Sequence, residues 1–345
     1  MRSTALTRTR PTALSTLRVP RGPFGVILNT NAGRYSNRLA RNIRDIVGDD
    51  HLFLTESEDH AEHALTTCLE REYTSIFAGG GDGTIIDAIN TLDRLSPDAS
   101  PQVGVLRMGT GNALARHIGA TDPVRDLRAY ADGVIHRDVP IRMVRADGDL
   151  FPFAGLGTDA AILNDYVALR RKYAGTAVAK LFSGLTGYTL AGLTRTLPRY
   201  LRRGNPRVTL YNIGGTAWRA AANGDEIGEH IPSGAVLYSG PASMLGVATT
   251  PILGYGVRFF PHAERRNGRL HLRVINMNAW QTAVNFPAAA AGTIDHPSCH
   301  DFYVDRVRAV FSEAMPYQLG GDAKGYRSEI TFGLSRIPVS FVGRA

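Results

Sequence analysis

At 345 residues, with 43% hydrophobic and 20% charged residues, the chain has the composition of an ordinary globular protein and the length for two domains. No apolar run reaches about 18 residues, which excludes a membrane-spanning helix, and Cys68 and Cys299 stand far apart, as free thiols in a reducing compartment would. The net charge of +8 is almost all arginine, with lysine only at Lys172, Lys180 and Lys324, and no Gly-Lys-Ser/Thr motif occurs, so any phosphate chemistry must rest on backbone, arginine and metal.

Positive charge is concentrated at the start, where residues 1–44 hold nine arginines and no acid. Such a segment can attract nucleic acid or an anionic membrane surface. Neither aromatic interleaving nor a recognition-helix pattern supports nucleic-acid binding, and the apolar core of a secretory signal is missing. Residues 1–22, rich in Ser, Thr, Arg and Pro, read as a disordered basic tail.

Phe24–Leu28 is a continuous apolar run and reads as a first buried strand. It ends in the polar and small turn Asn29-Thr-Asn-Ala-Gly33, and a helix is expected from Ser36 to Val47. A short strand, His51–Leu54, leads to Thr55, and Ser57 caps a helix running to about Glu72. Cys68 lies on that helix's apolar face and reads as core.

The next stretch carries the most chemistry. Ser75-Ile-Phe-Ala78 runs into Gly79-Gly80-Gly81-Asp82-Gly83-Thr84, and helical spacing follows at Ile85, Ile86, Ile89 and Leu92. A strand, a glycine turn and a helix start bring bare backbone N–H groups and a positive dipole end to one place, which suits a phosphate. Asp82 would repel that phosphate unless a cation sits between them or Asp82 handles a hydroxyl that attacks it. The plain alternative is a glycine-rich turn with an aspartate cap. A second strand, Val103–Leu106, ends in Arg107-Met-Gly109-Thr110-Gly111-Asn112 before a helix at Ala113–Ile118. With Asn29–Gly33 as a third, these loops would line the carboxyl edge of a parallel sheet, where a nucleotide is the natural occupant. Pro123–Tyr130 closes the unit as a weaker helix.

From about His136 the pattern changes. His136–Arg145 reads as a strand, Ala146–Gly148 as a hairpin turn and Leu150–Ala154 as its return. Asp159 follows a glycine pair at a strand end, as either a cap or a substrate contact. Residues 158–202 read as interrupted helix whose apolar positions from Leu181 to Leu197 could cover a cleft or be core, ending in Arg199, Arg202 and Arg203. Beyond it the chain looks mainly β, with strands at Arg207–Tyr211, Ala235–Ser239, Tyr255–Phe260, Arg269–Ile275, Phe302–Phe311, Arg327–Leu334 and Pro338–Val342, and a helix at Asn278–Ala290. Asp295-His-Pro-Ser-Cys-His300 matches no strong zinc spacing. Tyr317–Gly325 is a compact turn that presents Asp322, a second acid for the nucleotide site.

In this order the motifs resemble the diacylglycerol kinase catalytic-domain family, which includes sphingosine, ceramide and bacterial lipid kinases and is related to NAD kinases. The matching stretches are Asn29–Gly33, Thr55–Ala61, Gly80–Thr84, Asp87 with Asn90, Gly109–Asn112 with Ala115-Arg116, Gly155–Ala160 and Thr250–Ala263, so the resemblance spans roughly residues 23–343. It implies an α/β fold: a Rossmann-like parallel-sheet nucleotide domain at 23–135, then a mainly β acceptor domain with inserted helices at 136–345, whose last strands pack back on the first. It also implies ATP, Mg²⁺ and a lipid-like alcohol acceptor such as diacylglycerol or a sphingoid base. Asp82 and Asp322 would be the catalytic and metal-holding acids. Asn29, Gly33, Thr55, Gly79, Gly80, Gly81, Gly83, Thr84, Gly109, Thr110, Gly111 and Asn112 would hold the nucleotide, and Asp159, Arg116 and Asn90 the acceptor. A cytoplasmic enzyme is expected, in transient contact with a membrane surface and able to pair as a homodimer. Two departures stand out: Thr30 replaces the usual Pro, and Gly320-Gly321-Asp322 replaces the usual Asp-Gly-Glu, so the first acid is absent. The rival readings are a kinase for a non-lipid alcohol, an NAD kinase-like enzyme and a nucleotide-binding relative without catalysis.

Overall fold

The computed structural model describes residues 17–18 and 22–344, except 99, 110, 135, 177, 183, 197 and 199–203. Most of the basic tail therefore lies outside the described residues, as do Thr110, Leu197, Arg199, Arg202 and Arg203.

Two sheets organise the chain. The first contains β1 (Leu17–Arg18), β2 (Phe24–Asn29), β3 (Leu52–Thr55), β4 (Ser75–Gly80), β5 (Gln102–Arg107), β6 (His136–Ile141) and, from the far end of the chain, β19 (Val339–Arg344). Their order is β1-β6-β19-β5-β4-β2-β3. The central parallel strands β2, β4 and β5 are mostly apolar because both of their faces are covered. On one face α1 (Asn37–Val47) and α5 (Pro123–Ala131) bring Ala40, Ile43, Leu127 and Tyr130 onto Val26, Leu28, Phe77 and Leu106. On the other, α2 (Glu58–Glu70) and α3 (Asp82–Leu95) bring Leu65, Cys68, Ile85 and Ile89 onto Ile27, Ile76, Ala78 and Val105. Ser36 and Ser57 cap α1 and α2 by accepting from the N–H of Leu39 and His60. After β2 the chain first places β3 on one side and then β4 on the other. The sheet thus has a topological switch point between β2 and β4, and ligands bind at the carboxyl end of such a point.

The expected strand His136–Arg145 is in fact two. β6 pairs antiparallel with β19 in the first sheet, whereas β7 (Val144–Ala146) belongs to the second. The crossing is pinned at Met143, whose N–H donates to Ser335 Oγ while Ser335 N–H donates back to Met143 O. Chain leaves the first sheet and returns to it at this one pair.

The second sheet is antiparallel and continues with β8 (Asp149–Phe151), β9 (Phe153–Gly157), β10 (Arg207–Asn212), β11 (Ala217–Ala220), β12 (Glu226–Ile231), β13 (Val236–Pro241), β14 (Met244–Ala248), β15 (Leu270–Ile275), β16 (Cys299–Val304), β17 (Arg306–Leu319) and β18 (Asp322–Leu334). The Phe302–Phe311 run is broken at Asp305, where β16 turns into β17. Tyr255–Phe260 is not a strand: Gly254–Gly256 forms a 3₁₀ turn and the segment stays irregular. Its flanking Gly and Pro residues favour turns over a ladder. Helices α6 (Thr158–Lys172) and α7 (Gly184–Ala191) follow β9, and α8 (Ala279–Ala291) follows β15 with a capping box between Asn278 and Gln281. Among the described residues no helix is long and apolar enough to cross a membrane.

Candidate active site

Both glycine loops open at the carboxyl edge of the first sheet, and they touch. A Cβ built on Gly109 would lie 2.4 Å from Gly81 Cα, so the two backbones meet where only glycine fits. Asn112, at φ 53°, closes the second loop on itself. It accepts from Gly109 N–H at 3.1 Å and donates back to Gly109 O, and it is buried. Asn112 therefore shapes the loop, and its amide groups are turned inward.

Across the switch point Asn29 Nδ2 donates to Thr84 Oγ1 at 3.0 Å, tying the loop after β2 to the first turn of α3. Thr84 keeps its own hydroxyl proton for a ligand. Thr55 is buried, donates to Leu28 O and accepts from Thr30 through both backbone and side chain, so it too is a loop brace. Gly33 is exposed with open space around it.

Asp82 is the first residue of α3 and points at the start of the short helix α4 (Ala113–His117). Its Oδ1 accepts from Leu114 N–H at 3.4 Å, and a Cβ on Gly111 would come within 2.8 Å of its Oδ2. Burial raises its pKa, the amides of Ala113, Leu114 and Asn112 oppose that, and Asp322 adds repulsion. Asp322, at the start of β18, has its Oδ2 3.4 Å from where a Gly83 Cβ would stand. Desolvation raises its pKa while Lys324 lowers it. Asp87, one turn further along α3, is pushed up to about 6 by desolvation and then by Asp322 and Glu58. The two expected acids thus come together across Gly83. A Mg²⁺ ion commonly takes one or two carboxylates and completes its shell with water and phosphate oxygens, so this pair fits it. No group of three His, Cys, Asp or Glu side chains that could hold a metal ion forms among the described residues, and the Asp295–His300 stretch builds no such group.

The three expected acceptor residues do not share a place. Asp159 accepts from Gln318 Nε2 at 3.1 Å, and Gln318 Oε1 accepts from Gly321 N–H at 2.9 Å. Asp159 is thus linked through Gln318 to the turn that carries Asp322, with its carboxyl pushed up to about 6 by desolvation. Asn90 clamps α3 to β8: it donates to Leu150 O at 2.9 Å and accepts from Leu150 N–H at 2.6 Å. Arg116 stands exposed on α4, close to Gly256.

Two residues were not foreseen. Arg107 ends β5 and lies near Arg34 and Arg116, and desolvation followed by those two charges lowers its pKa. Its buried Nε has no partner. Arg34 is held to the same edge by its N–H bond to Met108 O. Three guanidinium groups thus gather positive charge beside the two glycine loops, without lysine. The only local signal in the sequence was Arg107 standing directly before the second glycine loop.

The missing family acid has a steric correlate. Gly320 sits at φ 55°, and a Cβ there would lie 2.3 Å from Ile86 Cδ1. Gly320→Asp, which restores the usual acid, is expected to destabilise the protein by about 1–3 kcal/mol without raising turnover. Adding Ile86→Val should recover part of that loss in thermal unfolding. Equal stability of Gly320→Asp and the parent would contradict the clash.

Residues 23–142 match the family model described as the diacylglycerol kinase catalytic domain. The Probable lipid kinase YegS-like of Klebsiella pneumoniae is 22% identical over 298 residues, which cover 86% of this chain and 82% of the relative. Diacylglycerol kinase of Bacillus subtilis is 39% identical over 92 residues, but these span only 29% of that protein's length and 26% of this chain. The crystal structure of a putative diacylglycerol kinase from Bacillus anthracis superposes with a TM-score of 0.66 over 94% of this chain and 97% of that one, at 16% identity, a likeness of fold.

Proposed function

We propose that this chain, which belongs through residues 23–142 to the diacylglycerol kinase catalytic-domain family, transfers a phosphoryl group from ATP to the hydroxyl of a lipid-like acceptor. The observation that carries this reading is Asp82, held by the amides that open α4 beside the meeting point of the two glycine loops and near enough to Asp322 to feel its charge.

Phosphoryl transfer needs positioning and charge neutralisation more than covalent help from the protein. The backbone N–H groups of the glycine loops and the Thr84 hydroxyl would receive the nucleotide phosphates, with Arg34, Arg107 and Arg116 supplying positive charge along the same edge. Asp82, whose proton affinity is raised by burial, would orient the acceptor hydroxyl and take up its proton. Asp82 and Asp322 are the residues that would hold Mg²⁺, which would supply charge neutralisation for the transferring group. Asp159 and Gln318 act at one remove, by fixing the Gly320–Gly321 turn that aims Asp322. The acceptor class follows the named lipid kinases among the relatives.

The test is ADP release from ATP and Mg²⁺, with lipid alcohols in mixed micelles assayed beside soluble alcohols. Turnover confined to a lipid alcohol is the expected result. Turnover with soluble alcohols alone would move the acceptor to that class, and ATP binding without any acceptor-dependent ADP would overturn the enzymatic reading.

A further inference from the structure

Helix α8 has no charged residue along Ala279–Ala291. One of its faces is in the core: Ala288 and Ala289 pack with Met277, Ile294, Phe259 and Phe260. The opposite face is left to solvent. Trp280 is 75% exposed, Val284 58% and Phe286 55%, and Ala283 and Pro287 are exposed beside them. Trp280, Ala283, Val284 and Pro287 stand at helical spacing, so they form one stripe. A contiguous apolar stripe on an otherwise well-capped helix marks a surface that meets something.

The helix is rigidly joined to the candidate site. Arg258 N–H donates to Ala290 O, fastening the end of α8 to the segment Arg258–Pro261. That segment is held from below by the fully buried Arg273, which bonds Phe259 O and, through two nitrogens, Asp301. Just before it, Gly254 lies against Gly111 of the second glycine loop and Gly256 against Arg116. Arg258, bonded at the end of α8, and Arg116, beside Gly256, are both exposed, so the segment that joins α8 to the loops carries positive charge. Asp295 is the only acid between Glu264 and Asp301.

We infer that the outer face of α8 docks on the surface of a lipid bilayer carrying anionic headgroups. Tryptophan favours the headgroup level, an uncharged apolar stripe suits the acyl boundary just beneath it, and arginines at its edge suit anionic phosphates. Docked this way, α8 holds the glycine loops at the bilayer surface, where a lipid acceptor presents its hydroxyl. The inference names the membrane-facing element of the proposed enzyme and rests on the lipid-acceptor reading.

The test uses the full chain and vesicles of phosphatidylcholine with or without phosphatidylglycerol. Trp280 emission, isolated as the difference between the parent and Trp280→Phe, should shift to shorter wavelength on anionic vesicles. Combined Trp280→Ser, Val284→Ser and Phe286→Ser should weaken vesicle co-sedimentation by about tenfold or more, leaving thermal unfolding and turnover on a micelle-free, short-chain acceptor at parental values. An unshifted Trp280 emission with equal co-sedimentation of parent and triple variant would overturn the inference. So would a change from dimer to monomer in the triple variant with vesicle binding unchanged, which would assign the stripe to a second copy of the chain. Because neither vesicle readout requires turnover, loss of the kinase reading is distinguishable: vesicle binding without any acceptor-dependent ADP would leave the docking face in place and remove only the chemistry.

Discussion

Asp82→Asn is expected to lower acceptor-dependent ADP release by about 10²–10³-fold while nucleotide affinity stays within a few-fold of the parent. The substitution keeps volume and shape, and the amide oxygen can still accept from Leu114 N–H. What it removes is the charge that Asp322 repels and the ability to take a proton. Initial rates with saturating acceptor, alongside calorimetric ATP binding, separate the two effects. A variant turning over at the parental rate would end the role assigned to Asp82. Stability should move the other way. The folded pKa of Asp82 is raised, so ionising it costs stability, and that cost appears as pH climbs from the unfolded carboxylate value of about 3.9 through the folded one. Above the folded value the cost is fully present, and there the neutral amide should melt at or above the parental temperature. A site that is costly to fold and indispensable to turnover is the usual signature of function taking precedence over stability.

Gly109→Ala has the second largest expected effect. The added Cβ would stand 2.4 Å from Gly81 Cα and 3.3 Å from Gly81 N. These are backbone atoms, and neither loop can yield as a side chain could. Separation of the loops should cost about 1–3 kcal/mol and weaken ATP binding by at least roughly tenfold, since donors must match the phosphate positions closely. Gly33→Ala, with nothing within reach of its Cβ, provides the contrast and should melt near the parent. If the two variants melt and bind ATP alike, the contact between the loops is not what organises the site.

The parts of this architecture that were legible in the sequence are those where backbone and burial agree. Phe24–Asn29 and Ser75–Gly80 are apolar because both faces of their sheet are covered, and Ser36 and Ser57 announce helix starts. Asp82 and Asp322 were legible as acids beside glycine turns. Rotamers were not. Asn112 and Asn90 have amides that suit a ligand, yet each satisfies a buried backbone pair, Gly109 in one case and Leu150 in the other. β12 escaped notice because nearly every residue of Glu226–Ile231 is exposed, so the strand carries no alternation. Arg34 lies in the turn after β2 and Arg107 at the end of β5, and they come near each other only because β2, β4 and β5 are neighbours.

The position of β19 has a bearing on how the protein is made. Residues 339–344 lie between β5 and β6, parallel to one and antiparallel to the other. A ribosome delivers β5 and β6 early and β19 only after the whole second sheet has emerged. Until then the first sheet has a gap between β5 and β6, flanked by two strand edges whose backbone groups invite pairing with other chains. ATP-competent protein should therefore not accumulate on nascent chains that stop short of residue 339, and proteolytic trimming that removes Val339–Arg344 should disable a site whose own residues are all still present.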